Sequence, residues 1–478
     1  MAAPSLEAVV ALAKRRGFVF QSSEIYGGLN GVWDFGPMGV ELLRNLKEVW
    51  WQAMTQREDI EGLDAAILMH PRVWEASGHV EQFSDPMVDN KVSKMRYRAD
   101  TLIEDFIERL RNTGREQEAH YWEERLRQAT EPRDYYRIIV EAQIPDPVSG
   151  TREWTEVRHF NLMFKTFFGP VEDTSSIVYL RPETAQGIYV NFLNVLQSSR
   201  QKIPFGIAQI GKAFRNEVTT KNFLFRTREF EQMEMQYFVK PGTEQQWFDY
   251  WLQERYRWYR ALGIPEERLR IKPHEKLAHY ASAAVDIEFL FPFGWGELEG
   301  IHSRTDFDLR RHQEYSGKRL EYVDPVTRER YIPYVVETSA GATRSFLAFL
   351  CNAYDEEDIP ADRGTRETRT VLRLHPALAP VKVAVFPLVN REGMPEVARK
   401  LYEELRRHLR AEYDDSGAIG RRYRRQDEIG TPFCVTVDGQ TLQDETVTIR
   451  DRDTMEQIRL PLCRVLEYVR ERVRPPLG

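Results

Sequence analysis

The chain has 478 residues, 42% hydrophobic and 29% charged, with 67 Lys and Arg against 74 Asp and Glu for a formal net charge of −7. That length and apolar content fit two to four packed domains and exclude a disordered chain, and no run of about 18 apolar residues is present to span a bilayer. Cys351, Cys434 and Cys463 lie far apart without a C-x-x-C pair, which argues against a disulfide framework or a zinc cluster. Basic Lys14, Arg15 and Arg16 follow a short apolar run, the reverse of a secretory signal, so a cytoplasmic protein is expected. The acidic balance argues against non-specific attachment to nucleic acid.

Taken in order, residues 6–16 read as a short helix, followed by a glycine-rich stretch at Gly27, Gly28, Gly31, Gly36 and Gly39. Apolar residues at helical spacing (Leu43, Leu46, Trp50, Met54) predict a helix over 40–54 with one buried face. Residues 65–69 read as a strand closed by Pro71. Residues 101–157 are helical and highly charged, then punctuated by Pro145, Pro147 and Gly150, the pattern of an insertion. A strand-rich stretch over 158–350 lacks the regular strand–helix alternation of a parallel sheet. A turn-rich boundary follows at His375, Pro376 and Pro380, and beyond it strands at 381–389, 431–437 and 447–450 and helices at 395–409 and 460–472 predict an α/β domain. The expected plan is a body of 1–100 with 158–375, an insertion of 101–157, and a terminal domain of 380–478.

Phosphate-binding glycine loops, an H-E-x-x-H pair and a G-x-S-x-G elbow are all missing from the sequence. The ten histidines are scattered, and His70, His79 and His302 read as surface or core residues rather than ligands. Two strands stand out. Over 207–218, alternation turns Arg215 and Glu217 the same way, and over 229–238 it puts Phe230, Gln232, Glu234 and Gln236 on one face, with Glu231, Met233, Met235 and Tyr237 on the other. Such a hairpin suits an aromatic base, a phosphate chain and an ammonium together. Read from period alone, it is equally an ordinary hairpin with a solvated face.

Phe214-Arg215-Asn216-Glu217 followed by Arg226-Thr227-Arg228-Glu229-Phe230-Glu231 resembles motif 2 of the class II aminoacyl-tRNA synthetases, and Gly341-Ala342-Thr343-Arg344 resembles their motif 3. The helix and strand ending at Pro71 resemble motif 1. Arg181-Pro182-Glu183-Thr184-Ala185-Gln186-Gly187 and Glu337-Thr338-Ser339-Ala340-Gly341 are similar to signature runs of the homodimeric glycyl-tRNA synthetase family. The terminal segment resembles the anticodon-binding domain shared by the glycine, histidine, proline and threonine enzymes.

The resemblance implies an α+β fold: an antiparallel sheet flanked by helices, dimerising through motif 1, with a C-terminal α/β anticodon-binding domain. It implies a ligase that joins glycine to tRNA-Gly through a glycyl-adenylate, using ATP and Mg²⁺ and no zinc. Arg215, Glu297 and Arg344 are then the catalytic residues, and ATP is bound by Arg215, Asn216, Glu217, Phe225, Arg226, Phe230, Glu297, Leu298, Gly341 and Arg344. Glu217 meets the adenine amino edge, Phe230 and Arg344 sandwich the ring, and Glu297 holds Mg²⁺. Glycine is bound by Arg98, Glu183, Phe230, Glu234, Glu337, Ser339 and Gly341. Arg421, Arg422 and Arg424 around Tyr423 are candidate tRNA contacts, although the same cluster reads as well as a structural basic strand paired with Asp427 and Glu428. The charge is uneven, +1 in the last 98 residues and −8 in the remainder, so a shape-specific RNA partner survives the acidic total. Two other readings remain: another synthetase of the same subclass, and a non-catalytic synthetase-like nucleic-acid-binding subunit.

Overall fold

The computed structural model describes residues 5–170, 172–274, 277, 281–360 and 366–476. Helix α1 (Pro37–Thr55) opens on a proline whose missing N–H costs nothing in the first turn. It buries Leu42, Leu43, Leu46, Val49, Trp50 and Met54 along one stripe, as the spacing predicts. The main sheet comprises β1 (Ile60–Gly62), β2 (Phe205–Phe214), β3 (Glu229–Val239), β4 (Leu269–Pro273), β5 (Ala283–Phe291), β6 (Gly294–Thr305) and β7 (Tyr334–Gly341), in the spatial order β4-β5-β6-β7-β3-β2-β1. Every neighbouring pair is antiparallel except β1 with β2.

Alternation gives the sheet two different faces. Met233, Met235, Tyr237, Val336 and Ala340 enter an apolar core shared with α1, α2 (Glu244–Ala261) and α3 (Ala342–Ala353). Within that layer Arg255 of α2 donates to Glu299 of β6 at 2.7 Å, both nearly solvent-free. The opposite face carries the polar residues considered below.

Two expectations need correction, and one open alternative is decided. Residues 65–69 form no strand. Leu68 makes only an isolated bridge to Leu180, and Pro71 starts the helix Pro71–Ala76, using its lack of an N–H at a helix start rather than at a strand end. The strand expected to run to 218 ends at Phe214, so Arg215 and Glu217 stand on the turn beyond it. The polar face of the hairpin is not solvated: Gln232, Glu234 and Gln236 are all buried.

Residues 99–141 form three helices, Ala99–Asn112, Glu116–Gln128 and Pro132–Glu141, as the charge-rich pattern predicts. They share a core with Val88, Trp154 and Val157 and sit beside a sheet of Ser84–Asp89, Arg96–Arg98 and Arg158–Asn161. Beyond residue 380 a five-stranded sheet has Val383–Pro387 parallel to Ala411–Tyr413 and to Phe433–Val437, then Thr446–Asp451 and Gln457–Pro461 antiparallel. The helix expected over 460–472 is shorter, Val465–Arg472, because a strand occupies its first residues. The helix Ile419–Ile429 has only a weakly apolar pattern and was not foreseen.

Lys382 lies at the start of this terminal sheet and donates to the carbonyls of Pro376 and Ala377 at 3.0 and 2.7 Å. Burial pushes its ammonium pKa down to about 7. The unfolded chain therefore keeps a proton that the folded one releases, and stability from this group rises with pH above about 7. Thermal unfolding of wild type against Lys382→Met should show the wild type gaining relative stability between about pH 7 and the usual lysine range near 10.4. Parallel pH profiles would contradict the assignment.

Candidate active site

The hairpin β2–β3 and strand β7 build the site by register. Gln232 faces Gly341, Glu234 faces Ser339, and Gln236 faces Glu337 across the β3–β7 ladder. Because the side-chain period is two, these residues share one face. Helix α3 starts directly after Gly341, and its buried Phe346, Leu347, Phe349 and Leu350 lock it under the sheet. Its first turn carries Thr343 and Arg344 to the rim.

A cleft of about 110 Å³ opens there. Its walls include Arg215, Glu217, Phe225, Arg226, Phe230, Glu297, Ser339, Gly341 and Arg344, together with Leu224, Thr227, Gln232 and Thr343. The Arg215 guanidinium lies 5.3 Å from the ring centroids of both Phe83 and Phe230 and donates from Nε to the Pro182 carbonyl at 3.0 Å. Among the described residues its two terminal nitrogens have no carboxylate partner. Arg344 lies over Phe225, 4.5 Å from the centroid, donates from Nε to the Phe225 carbonyl at 3.0 Å, and pairs with Glu297 at 3.1 Å. Desolvation opposes charge on Glu297, but Arg344 outweighs it and holds the carboxyl below its ordinary pKa.

Two residues expected to line this cleft do not. The Leu298 side chain is 1% exposed, within the apolar core, because it points to the opposite face of the strand from Glu297. Asn216 lines a separate hollow with Leu29, Val32 and Phe214. Phe230 faces Arg215, while Arg344 rests on Phe225.

Gln232 and Ser339, 3.4 Å apart, form the threshold between the cleft and a deeper acidic cluster. Glu337 accepts from His302 Nδ1 at 2.7 Å, from Gln236 at 2.7 Å and from Arg304 at 3.2 Å. Glu234 accepts from the Thr184 hydroxyl and from Gln236, the latter at 2.8 Å. Glu183 meets His79 Nε2 at 3.3 Å and Gln186 at 2.9 Å. Arg304 makes a fork to Asp308 at 2.8 and 3.1 Å.

The three carboxyls differ in ionisation for physical reasons. Burial, with the charges of Glu337 and Glu183 added, drives Glu234 well above its ordinary value. Burial also works against Glu337, but Arg304 and His302 hold it down to about 2. Glu183 likewise stays ionised against its burial, through His79. Three carboxyls gathered so closely, one of them pushed upward by the charges of the other two, favour one additional positive charge among them.

Arg98 is not in this cluster. It pairs with Asp100 at 2.6 Å and Asp85 at 3.3 Å at the start of the helix Ala99–Asn112, with the charge of Glu217 also acting on it. Sequence reasoning missed His79, His302 and Arg304, read as ordinary residues or passed over. His302 and Arg304 share the alternation of β6, a signal visible only once the strand is placed beside Glu337. Gln232 and Gln236 were on the predicted polar face but had been given no task.

In the terminal domain the basic cluster is on a helix, not a strand. Arg421 is exposed. Arg422 is 3% exposed and turned inward, donating four of its five N–H groups to the carbonyls of Pro387, Asp415 and Gly417, the pattern of a structural arginine. Arg424 is partly covered, 3.6 Å from Glu367 and 3.8 Å from Asp427.

Among the described residues no helix is long and apolar enough to cross a membrane. Residues 382–472 match the model of an anticodon binding domain, and residues 85–133 and 117–162 match that of glycyl-tRNA synthetase insertion domain 1. The glycine–tRNA ligase of Chlorobaculum tepidum is 56% identical over 467 residues, covering 96% of this chain and 98% of that protein. The glycine–tRNA ligase of Treponema denticola is 54% identical, with 98% and 97% covered, and that of Staphylococcus haemolyticus 52% identical, with 98% and 99% covered. With a sheet, a cleft and an acidic pocket of this form, and identity above half along nearly its whole length, the chain belongs to the glycine–tRNA ligase family.

Proposed function

We propose that this protein activates glycine with ATP to glycyl-adenylate and pyrophosphate, and then passes the glycyl group to the 3′ end of tRNA-Gly. The observation that carries the reading is the junction at Gln232 and Ser339, where an arginine-lined cleft meets a buried acidic cluster. The first step joins a carboxylate to a phosphorus atom and expels pyrophosphate. Both partners are anions, so the residues must bring negative charges together in line and stabilise those that build on oxygen.

Arg215, with two free terminal nitrogens, bridges the α-phosphate and the attacking carboxylate as a bidentate donor. Arg226 and Arg344 take the distal phosphates, with Glu217 at the adenine amino edge and Phe225 and Phe230 as ring surfaces. Arg344 is now paired with Glu297 and is released to phosphate as the nucleotide enters. The Glu297 carboxylate faces the same cleft, which suits Mg²⁺, an ion that prefers carboxylate and phosphate oxygens. Bound there, Mg²⁺ neutralises phosphate charge.

Glu183, Glu234 and Glu337 read the glycine ammonium, whose positive charge relieves the mutual repulsion that pushes the Glu234 carboxyl upward. Larger amino acids are excluded for lack of space, since filling a packed pocket with even one extra methyl forces its walls apart. The enzyme acts in the cytoplasm as a homodimer, with Arg421 as a tRNA contact.

Charging of tRNA-Gly with labelled glycine, together with an amino-acid screen of ATP–pyrophosphate exchange, tests the reading. Glycine should support exchange by itself, and Glu183→Ala should lower the glycine-dependent rate by about tenfold or more, because one of the ammonium's charge-assisted contacts is lost. Equal exchange with alanine or histidine, or an unaffected Glu183→Ala variant, would refute it.

A further inference from the structure

His274, Asp286 and His302 come from three neighbouring stretches of the main sheet, and their ligand atoms lie within 4.8 Å of one another. His274 directly follows β4, with its N–H bonded to the Ala284 carbonyl of β5 at 3.0 Å. Asp286 faces Gly300 across the β5–β6 ladder, and His302 is the diagonal neighbour, facing Ala284. Gly300 keeps the space between them clear, since a Cβ there would come within 2.6 Å of the His302 ring.

Two features prepare these groups for an ion. The His302 Nδ1–H is engaged by Glu337 at 2.7 Å, which leaves Nε2 as the ring nitrogen available to a ligand, the carboxylate–histidine arrangement found behind metal-binding imidazoles. His274 Nε2 lies 2.9 Å from Asp286 Oδ2 yet is buried without a hydrogen bond of acceptable geometry. Two imidazoles and a carboxylate brought this close, with one ring nitrogen lacking a well-aligned bond, turn converging lone pairs toward one point that a cation can share.

We propose that His274, Asp286 and His302 form a divalent transition-metal site of the Zn²⁺ class. Two imidazoles and one carboxylate select Zn²⁺ over Mg²⁺, which demands oxygen, so this site is separate from that of Glu297. Donors at about 2.1 Å from an ion are at most about 4.2 Å apart, so the site closes by small side-chain rotations. Three protein ligands leave a fourth position open to water or an exchangeable ligand. Absence of a cysteine cluster led the sequence to predict no zinc, but these residues lie 12 and 16 positions apart in the chain and only the sheet gathers them. Through His302 the ion bears on Glu337, a link that rests on the proposed glycine pocket; the binding itself does not.

The test is titration of chelator-stripped full-length protein with Zn²⁺ above neutral pH, where the ion competes least with protons for imidazole, read by a competing indicator dye. Co²⁺ absorption serves as a second probe. Wild type should bind one equivalent per chain, and His274→Ala and Asp286→Asn should each weaken it by roughly tenfold or more. Tetrahedral Co²⁺ bands should appear in wild type and vanish in His274→Ala. Absence of an equivalent in wild type, or unchanged affinity in His274→Ala as exposed Cys463 would give, overturns the site. Loss of glycine-dependent exchange in Glu183→Ala bears on the pocket and leaves this outcome untouched.

Discussion

Replacing Arg215 with alanine should lower glycine-dependent ATP–pyrophosphate exchange by about 10²–10³-fold, the scale seen when one preorganised donor to a developing oxyanion is removed. The expectation follows from how the side chain is held. Phe83 and Phe230 flank the guanidinium and the Pro182 carbonyl fixes Nε, so the terminal nitrogens are aimed before any substrate arrives. Nothing acidic among the described residues is tied to it, so its removal leaves no buried charge behind and the fold should survive. Arg215→Lys keeps the charge but loses the planar fork, and should remain at least about tenfold impaired. Stopped single-turnover formation of adenylate separates this from tRNA effects, and a full-rate Arg215→Ala enzyme would remove Arg215 from the mechanism.

How legible this was differs from residue to residue. Arg215, Glu217, Phe225, Arg226 and Phe230 fall within one short segment, so the motif resemblance groups them, but the alternation read for Arg215 and Glu217 does not hold because the strand stops at Phe214. Glu297, Gly341 and Arg344 come from distant segments; only resemblance to a family linked them to the same cleft, and the sheet order β6-β7-β3 shows why they meet. The Leu298 side chain lies apart from Glu297 because a motif names neighbours in sequence, whereas a strand sends consecutive side chains to opposite faces.

The polar face of β3 kept two readings for a different reason. Periodicity reports that Gln232, Glu234 and Gln236 share a side, but not what covers it. The covering groups, Thr184, Tyr189 and Arg304, belong to other segments, and they turn a face that looks solvated into a buried network. The arginine cluster near 421 also carried two readings that its sequence does not separate. Helical spacing turns Arg422 inward to three carbonyls while Arg421 stays outside, a distinction that charge counting does not hold. Pro71 shows that one residue supports two readings: it can close a strand or open a helix, and His70 capping the Arg72 N–H decides for the helix.

Arg304→Ala should be the most damaging change to the fold of the active-site body. Arg304 is 5% exposed and is shared between Asp308, through two bonds, and Glu337. Its removal leaves two buried carboxylates, Asp308 and Glu337, without the cation they share, a loss of about 3–5 kcal/mol by the usual cost of breaking a buried pair. The pH dependence has a definite sign. Glu337 titrates near 2 in the folded protein, below the ordinary carboxylate value, so its stabilising contribution is full above that ordinary value and is lost as pH falls toward 2. The gap between wild type and Arg304→Ala should therefore be widest near neutrality and narrow on acidification below about 4.3. Arg304→Lys should restore part of the charge but not the fork to Asp308, and fall between the two. Chemical denaturation at several pH values, followed through the tryptophans of the body, reads this directly. A midpoint that does not move in Arg304→Ala at neutral pH would show that Glu337 is held ionised by His302 and Gln236 without it, and the acidic pocket would then owe its charge to the hydrogen bonds of β3 and β6 rather than to the arginine beneath them.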